Sequence, residues 1–237
     1  MRRAAVWLLF FLISFGLGYP TLNRYDPRQT GGLSDTQTYY RMATEGTANA
    51  DAQLRGRVLV PMMARAVASA ARGHTGSWEP VFFGFLVVNA FFTATAAALL
   101  VEVARRTAGG GMTGLVAALL YLANFETANV ALSGMVDSAD GCFLMAMVWS
   151  LVCGNARWLP VWGALGAAGK ETFVPVAIVF ALGWWMVERR AWGPMLAMAL
   201  AALGSVTAVE TAVAGRLVWP WEFAASSRPN LVSCLAG

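Results

Sequence analysis

Polar and charged side chains are concentrated in three stretches of an otherwise apolar chain of 237 residues. The longest stretch runs from Arg24 to Pro61 and holds four of the thirteen acidic residues, namely Asp26, Asp35, Glu45 and Asp51. The second is a polar series spaced three or four residues apart: Glu126, Asn129, Ser133, Asp137 and Asp140. The third is Gly169-Lys170-Glu171-Thr172, with the only lysine of the chain. Carboxylates in apolar surroundings need a polar cavity or a cation, and a lysine can bind a phosphate.

The spacing of the polar series predicts that its five members share one face of a helix. A carboxylate at the centre of a membrane span costs roughly 2.5 to 3.5 kcal/mol on insertion scales. We therefore expect the series to line a polar cavity that begins at the outer membrane surface. The alternative is that these side chains join neighbouring helices by hydrogen bonds, which requires no further function.

Lys170 lies where the flanking glycine and polar residues predict a break between two apolar half-spans. Broken helices at membrane depth are tolerated where they line protein or a cavity. Lys170, beside Glu171, is therefore a candidate for binding a phosphate group. A lysine whose ammonium reaches the membrane surface along its own side chain is the structural alternative.

The stretch from Arg24 to Pro61 contains signals for two short helices. Ser34 and Gln37 fit a capping box that places Asp35 in a first helical turn. A second helix is predicted to begin at Pro61. Its apolar residues that share a face are Met62, Met63, Ala66, Val67 and Ala70. Such helices are expected to lie on the membrane surface, and an ordinary solvated loop is the alternative.

Composition indicates an integral membrane protein. Hydrophobic residues make up 58% of the chain and charged residues 13%, whereas an ordinary soluble domain is about one quarter charged. The net charge of +4 does not indicate nucleic-acid binding, because the arginines are scattered or flank apolar segments. The three cysteines lack metal-ligand spacing. We expect a single all-α membrane domain over residues 1–237.

Hydropathy predicts about seven transmembrane spans, a first outer loop over 20–79 and an outer tail over 215–237. The predicted spans cover residues 4–19, 80–104, 112–125, 128–153, 158–168, 173–187 and 194–214. The first apolar segment is interpreted as a retained span, because Gly18-Tyr19-Pro20 is a poor signal-peptide cleavage site.

The arginines that flank these spans favour two short crossings on either side of Lys170. With that count, seven arginines fall on one side, which the positive-inside rule makes cytoplasmic. They are Arg2, Arg3, Arg105, Arg106, Arg157, Arg189 and Arg190. The N-terminus is then cytoplasmic and the C-terminus outside. The first outer loop also carries arginines, but long loops are largely exempt from the rule.

Three separated motifs resemble one known superfamily. They are Ser34-Asp35-Thr36 with Tyr39-Tyr40, then Arg57-Val58-Leu59-Val60-Pro61, then Gly169-Lys170-Glu171-Thr172. Their order and placement, over about 19–190, resemble bacterial polytopic glycosyltransferases of the GT-C superfamily, in a compact or truncated form. In that pattern an acidic residue and an aromatic pair follow the first span, an Arg-x-Leu-x-Pro helix comes next, and Lys-Glu-Thr opens a later span.

The resemblance implies transfer of a sugar from a polyprenyl-phosphate donor at the outer face of the bacterial inner membrane. It makes Asp35 the catalytic base, with Asp26 as second choice. Arg57 and Lys170 become candidates for binding the donor phosphate. A divalent metal ion held by Asp35, Asp137 or Asp140 could bridge to that phosphate, although not every enzyme of this superfamily needs a metal.

The chain is shorter than is usual for this superfamily. It is therefore expected either to need a partner membrane protein that supplies the missing part, or to be a non-catalytic accessory subunit of a larger membrane complex. An enzyme should keep Asp35 near the polar series beside an open lipid groove, whereas a scaffold should show these groups paired. A transporter is disfavoured because hydropathy reveals no inverted repeat.

Overall fold

A computed structural model of the protein describes residues 2–24, 35–47, 50–51, 54–188, 192–219 and 222. Every regular element in these residues is a helix, which confirms the expected all-α class. The α-helices are α1 (Arg2–Gly18), α2 (Thr21–Arg24), α3 (Thr36–Glu45), α4 (Leu59–Ala70), α5 (Pro80–Thr107), α6 (Gly111–Ala123), α7 (Asp137–Val152), α8 (Leu159–Gly169), α9 (Phe173–Glu188) and α10 (Trp192–Ala214). A π-helix (Thr127–Ala131) precedes α7, and a 3-10 turn (Ala156–Trp158) precedes α8.

Two helices in the described part of the chain, α5 and α10, are long and apolar enough to cross a membrane by length and composition. α1, α6 and α9 are apolar but shorter, at 13 to 17 residues. At a rise of about 1.5 Å per residue, such helices are about 20 to 25 Å long, whereas a bilayer core is about 30 Å thick.

Helix α5 is the centre of the bundle, with α1, α4, α6 and α7 packed around it. Its first turn is fixed by Glu79, whose carboxylate accepts a hydrogen bond from the Phe82 amide at 2.8 Å, and by Pro80 at the first helical positions. Apolar side chains on several sides of the helix are buried, among them Phe85 and Phe92. A helix that is apolar all round is suited to this central position.

Side-chain contacts give the directions of the helices on the other side of α5. The Trp162 indole donates to Ser150 Oγ at 2.8 Å and the Lys170 ammonium to Asp137 at 2.6 Å, so α8 runs antiparallel to α7. α8 runs parallel to α10, because Gly163 lies against Met198 and, further along both helices, Ala167 packs near Ala202.

Helix α9 runs in the opposite direction to α8. Its early residue Val174 packs in the same cluster as Val206, whereas the later Leu182 and Trp185 lie with Trp192 and Leu196 near the start of α10. The chain therefore reverses direction at Lys170, where α8 ends in extended backbone. The predicted break in this segment is confirmed.

These directions place several arginines at one end of the bundle and the polar stretches at the other. α5 and α7 are parallel, because Asn89 meets Ser138 and Phe92 meets Phe143 one turn further along. The ends of α5 and α7 and the starts of α1 and α8 therefore lie together. At this end Arg3 contacts Glu102 at 3.7 Å.

The predicted continuous helix over 128–153 is wrong. The chain forms a π-helix up to Ala131, turns through Leu132–Val136 and starts α7 at Asp137. Gly134 adopts a φ of +86°, a left-handed conformation that a helix does not contain. In addition, the Met135 carbonyl accepts a hydrogen bond from the buried Asn89 side chain at 3.0 Å instead of bonding within a helix.

Helix α4, which is expected to lie on the membrane surface with an apolar face that includes Met62, packs on the bundle through another side. The helix begins at Leu59, two residues earlier than expected, and buries Val60, Ala64 and Ala68, whereas Met62 is 60% exposed. This side of α4 packs closely on α5 at Gly84. A Cβ at position 84 would overlap the Ala64 carbonyl oxygen, so the contact requires a glycine there. Small residues let the two backbones approach, and this contact sets the face of α4.

Replacement of Gly84 by alanine should separate α4 from α5 and lower the free energy of unfolding by about 1 to 3 kcal/mol, the usual cost of overpacking. Thermal unfolding of the purified protein, followed by circular dichroism, would measure the change. Gly204→Ala is the matched control, because among the described residues no neighbouring helix or side chain lies within 4 Å of the place that its Cβ would take. That substitution should therefore be neutral or stabilising. Equal melting temperatures for the two variants would contradict the close approach.

Candidate functional site

Arg57 is the centre of a charged cluster that joins the polar loop to the break between α8 and α9. Its Nε donates to Glu171 Oε2 at 2.9 Å and its Nη2 to Oε1 at 2.5 Å, which makes a bidentate ion pair. Its Nη1 donates to the Tyr39 hydroxyl at 2.8 Å. The two charged side chains are only 14% and 13% exposed. This planar, fork-like contact is the strongest geometry that an arginine can form with a carboxylate.

Burial and the neighbouring charges shift the pKa values of Tyr39 and Arg57 in opposite directions. Burial raises the pKa of Tyr39 to about 12, although the Arg57 guanidinium opposes the rise, so the phenol stays neutral at physiological pH. Burial by itself lowers the pKa of Arg57, but the hydrogen bonds and charge of Glu171, together with Tyr39, raise it above its ordinary value. Arg57 is therefore protonated at every pH of biological interest.

Lys170 and Asp137 form a second ion pair next to the first, with 2.6 Å between Nζ and Oδ1. Asp137 is the first residue of α7, where the helix dipole favours an anion, and Lys170 follows the last residue of α8, where it favours a cation. The side chain of Asp137 is 34% exposed and that of Lys170 is 21% exposed, so this ion pair is more accessible than the pair of Arg57 and Glu171.

The turn before α7 positions Asp137 through a buried polar contact in the centre of the bundle. Asn89 of α5 donates to the Met135 carbonyl, and Ser138 donates to Asn89 Oδ1 at 2.6 Å. The start of α3 rests on the same turn, because a Cβ on Gly134 would lie 3.1 Å from Thr36 Cγ2. The turn therefore brings the first motif, on α3, next to the start of α7.

Asp35 immediately precedes α3 and is half-buried. The charges of Asp35 and Asp137 both act to raise the pKa of Tyr39, after burial and Arg57, so both carboxylates lie around this phenol. Two residues about a hundred positions apart in the sequence are thus brought to one place. Asp26, the second candidate base, lies outside the described residues.

The predicted polar series is divided by the turn before α7. Asp137 and Asp140 belong to the charged cluster, and Asp140 Oδ1 is buried without a hydrogen-bond partner among the described residues. By contrast, Glu126 and Asn129 are exposed near the π-helix. The Ser133 hydroxyl is satisfied by the Val130 carbonyl at 2.7 Å. A single helical stripe from Glu126 to Asp140 is therefore wrong, because the helix it requires is interrupted.

The candidate metal ligands Asp35, Asp137 and Asp140 do not form a group that could hold a metal ion. The same holds for the His, Cys, Asp and Glu side chains elsewhere in the described residues. Asp137 already accepts a short hydrogen bond from Lys170. The groups of this cluster that can bind a ligand or transfer a proton are its arginine, lysine, tyrosine and carboxylates.

A third contact, between Arg55 and Glu210, was not anticipated from the sequence. Arg55 Nη2 lies 3.5 Å from Glu210 Oε2, and Glu210 is buried in α10. Gly56 lies so close to this carboxylate that a Cβ there would overlap Glu210 Oε1. The segment Arg55-Gly56-Arg57 is therefore held between α10 and the end of α8. Two polar residues within apolar segments could have indicated such contacts in the sequence. They are Glu210, the single glutamate of the last apolar segment, and Asn89 in an earlier one.

Comparison of the chain with family models, with curated proteins and with solved structures found no match. The resemblance to the GT-C superfamily therefore rests on the three sequence motifs alone. Tyr39 represents the first motif in the cluster, Arg57 the second, and Lys170 with Glu171 the third.

Proposed function

We propose that this chain is a membrane glycosyltransferase similar to the GT-C superfamily, which transfers a sugar from a polyprenyl-phosphate donor. The observation that carries the proposal is the meeting of three separated motifs around Arg57. Tyr39 and Glu171 both bind its guanidinium although 132 residues separate them in the sequence. Convergence of motif residues on one point is what a binding or catalytic site requires.

In this proposal the donor phosphate binds to the two cations of the cluster. The Lys170 ammonium is the more accessible, since its side chain is 21% exposed and that of Arg57 is 14% exposed, and the phosphate replaces Asp137 as its partner. Arg57 stays anchored by Glu171 and contributes positive charge from its fixed position. The acceptor hydroxyl oxygen attacks the anomeric carbon of the sugar, the bond from that carbon to the donor phosphate oxygen breaks, and polyprenyl phosphate leaves as an anion next to the two cations. Asp35 accepts the proton of the attacking hydroxyl, which is the role of a general base.

We further propose that the bundle crosses the bacterial inner membrane about seven times, with the charged cluster at the outer face. The reversal of the chain at Lys170 supports two short crossings there, and the arginines at the opposite end of the bundle fit a cytoplasmic face. Large apolar side chains lie exposed on α6, α9 and α10, as contact with lipid would require. Examples are Leu120, Val179, Met186 and Leu200, each at least 59% exposed.

A second candidate is a non-catalytic subunit of a larger membrane complex. It is favoured by the pairing of both cations: Arg57 is bound by Glu171 and Tyr39, and Lys170 by Asp137. Paired charges of this kind can serve to hold helices in register. In this case the partner would be a membrane protein and the cluster would bind no lipid phosphate.

Native mass spectrometry of the solubilised protein with added polyprenyl phosphate separates the two candidates. The wild-type chain should retain the lipid, and Lys170→Met should weaken retention roughly tenfold, since one charge-assisted contact is worth about 1.5 to 3 kcal/mol. Arg157→Met is the matched control, because Arg157 is an exposed cation at the opposite end of the bundle. Retention that is unchanged in Lys170→Met would contradict the donor site, and recovery within a stoichiometric complex that lacks the lipid would favour the subunit.

A further inference from the structure

A polar cavity of about 320 Å³ lies between α3, α4 and the start of α5, separate from the charged cluster. Its size is at the lower end of the range of roughly 300 to 1,000 Å³ that is typical of small-ligand sites. The residues around it are Ala43, Thr44, Arg65, Ala68, Ser69, Arg72, Glu79, Pro80 and Val81. Two arginines and the Ser69 hydroxyl supply hydrogen-bond donors to this lining, whereas the Thr44 hydroxyl donates to the backbone carbonyls of Tyr40 and Arg41.

The two arginines are free to bind a ligand. Arg65 and Ser69 lie one turn apart on the same side of α4, and Arg72 follows in the turn that ends the helix. Neither guanidinium forms an ion pair or a hydrogen bond with any residue that the structure describes. Both side chains are exposed, so a ligand can reach them from outside.

The only acidic residue in the lining, Glu79, is already bound within the protein. Its Oε2 accepts from the Phe82 amide at 2.8 Å, as the cap of α5, and its Oε1 accepts from the Tyr40 hydroxyl at 3.2 Å. Glu79 therefore fixes the wall formed by α3 and α5. The lining therefore carries two positive charges against one negative charge, and neither arginine forms an ion pair with Glu79.

We propose that this cavity is a second anion site, which binds a phosphate group through Arg65 and Arg72 with Ser69 as a further donor. Guanidinium groups match the geometry of phosphate oxygens and bind them in bidentate fashion. The cavity is larger than a bare phosphate needs, so it can also accept part of the group that the phosphate esterifies. The phosphate comes either from a membrane phospholipid head group or from a water-soluble phosphate ester. The inference does not depend on the proposed glycosyl transfer, because it uses none of the residues of the charged cluster.

The test compares wild-type protein with the double variant Arg65→Gln/Arg72→Gln and with Arg41→Gln, an exposed arginine of α3 outside the cavity lining. Two probes are used on the full chain: phosphatidylglycerol retention by native mass spectrometry, and glycerol-phosphate binding by isothermal titration calorimetry. Circular dichroism shows that each variant is folded.

At least one probe should bind the wild type and Arg41→Gln with equal affinity. It should bind the double variant with an affinity lower by roughly tenfold or more, because each arginine near a lipid surface raises the binding affinity severalfold. Loss of phosphatidylglycerol retention alone would assign the site to a phospholipid, and loss of glycerol-phosphate binding alone to a soluble ester. Binding of neither probe to the wild type, or equal binding to the wild type and the double variant, would overturn the proposal.

Discussion

Replacement of Glu171 by leucine should lower the free energy of unfolding by about 3 to 5 kcal/mol. The substitution leaves the Arg57 guanidinium buried with Tyr39 as its remaining hydrogen-bond partner, and an uncompensated buried charge is costly to this extent. Thermal unfolding of the detergent-solubilised protein, followed by circular dichroism, measures the loss.

Glu222→Leu is the matched control for this prediction. Glu222 also binds an arginine, Arg216, at 2.9 Å, but the arginine is 66% exposed. Exposed ion pairs contribute only about 0 to 1 kcal/mol, so the control should melt close to the wild type. A Glu171→Leu variant as stable as this control would show that the pair with Arg57 is not formed.

Replacement of Asp35 by asparagine should lower glycosyl transfer by roughly 10²- to 10⁴-fold, the usual contribution of a general base. Asparagine keeps the shape of the side chain but cannot accept the proton of the acceptor hydroxyl. Turnover of a polyprenyl-phosphate sugar by the reconstituted protein, in any complex with which it purifies, is the measurement.

The control for Asp35 is Glu45→Gln, which removes a carboxylate from the exposed C-terminal end of the same helix and should leave turnover unchanged. Circular dichroism and binding of polyprenyl phosphate verify that Asp35→Asn is folded and still binds the donor. Full activity in that variant would exclude Asp35 as the base. If wild-type turnover is absent but the protein is recovered in a stoichiometric membrane complex, the accessory-subunit candidate is favoured instead.

The parts of the fold that could be predicted are those that local sequence determines. The start of α5 follows from Glu79 and Pro80, and its end from Arg105 and Arg106. The break at Lys170 follows from a polar tetrapeptide between two apolar runs. These signals act within a few residues, so they can be recognised without knowledge of the neighbouring helices.

The errors arose where distant residues decide the structure. The turn before α7 depends on Asn89, 46 residues before the Met135 carbonyl that it binds. The packing face of α4 depends on Gly84 in α5, which admits Ala64 but leaves Met62 exposed. The periodicity of each segment contains no information on these partners, so it favoured a continuous helix before Asp137 and left the packing side of α4 undetermined.

In the candidate site, too, local sequence predicted some features and distant contacts decided the others. The motifs identified Asp35, Arg57 and Lys170 as charged residues of interest, but not which carboxylate would bind which cation. Arg57 binds Glu171 and Lys170 binds Asp137, and both pairs depend on the directions of α7, α8 and the polar loop. Pairing of this kind is a property of the assembled bundle.

A double-mutant cycle on Arg57 and Glu171 tests most directly whether the second and third motifs form one site. The free energies of unfolding are measured for the wild type, Arg57→Met, Glu171→Leu and the double variant. We predict that the double variant loses at least about 1 kcal/mol less than the sum of the two single losses, because replacing both members of a buried pair removes the unpaired charge that each single change leaves. Losses that add without coupling would contradict the contact, and with it the cluster on which the proposed function rests.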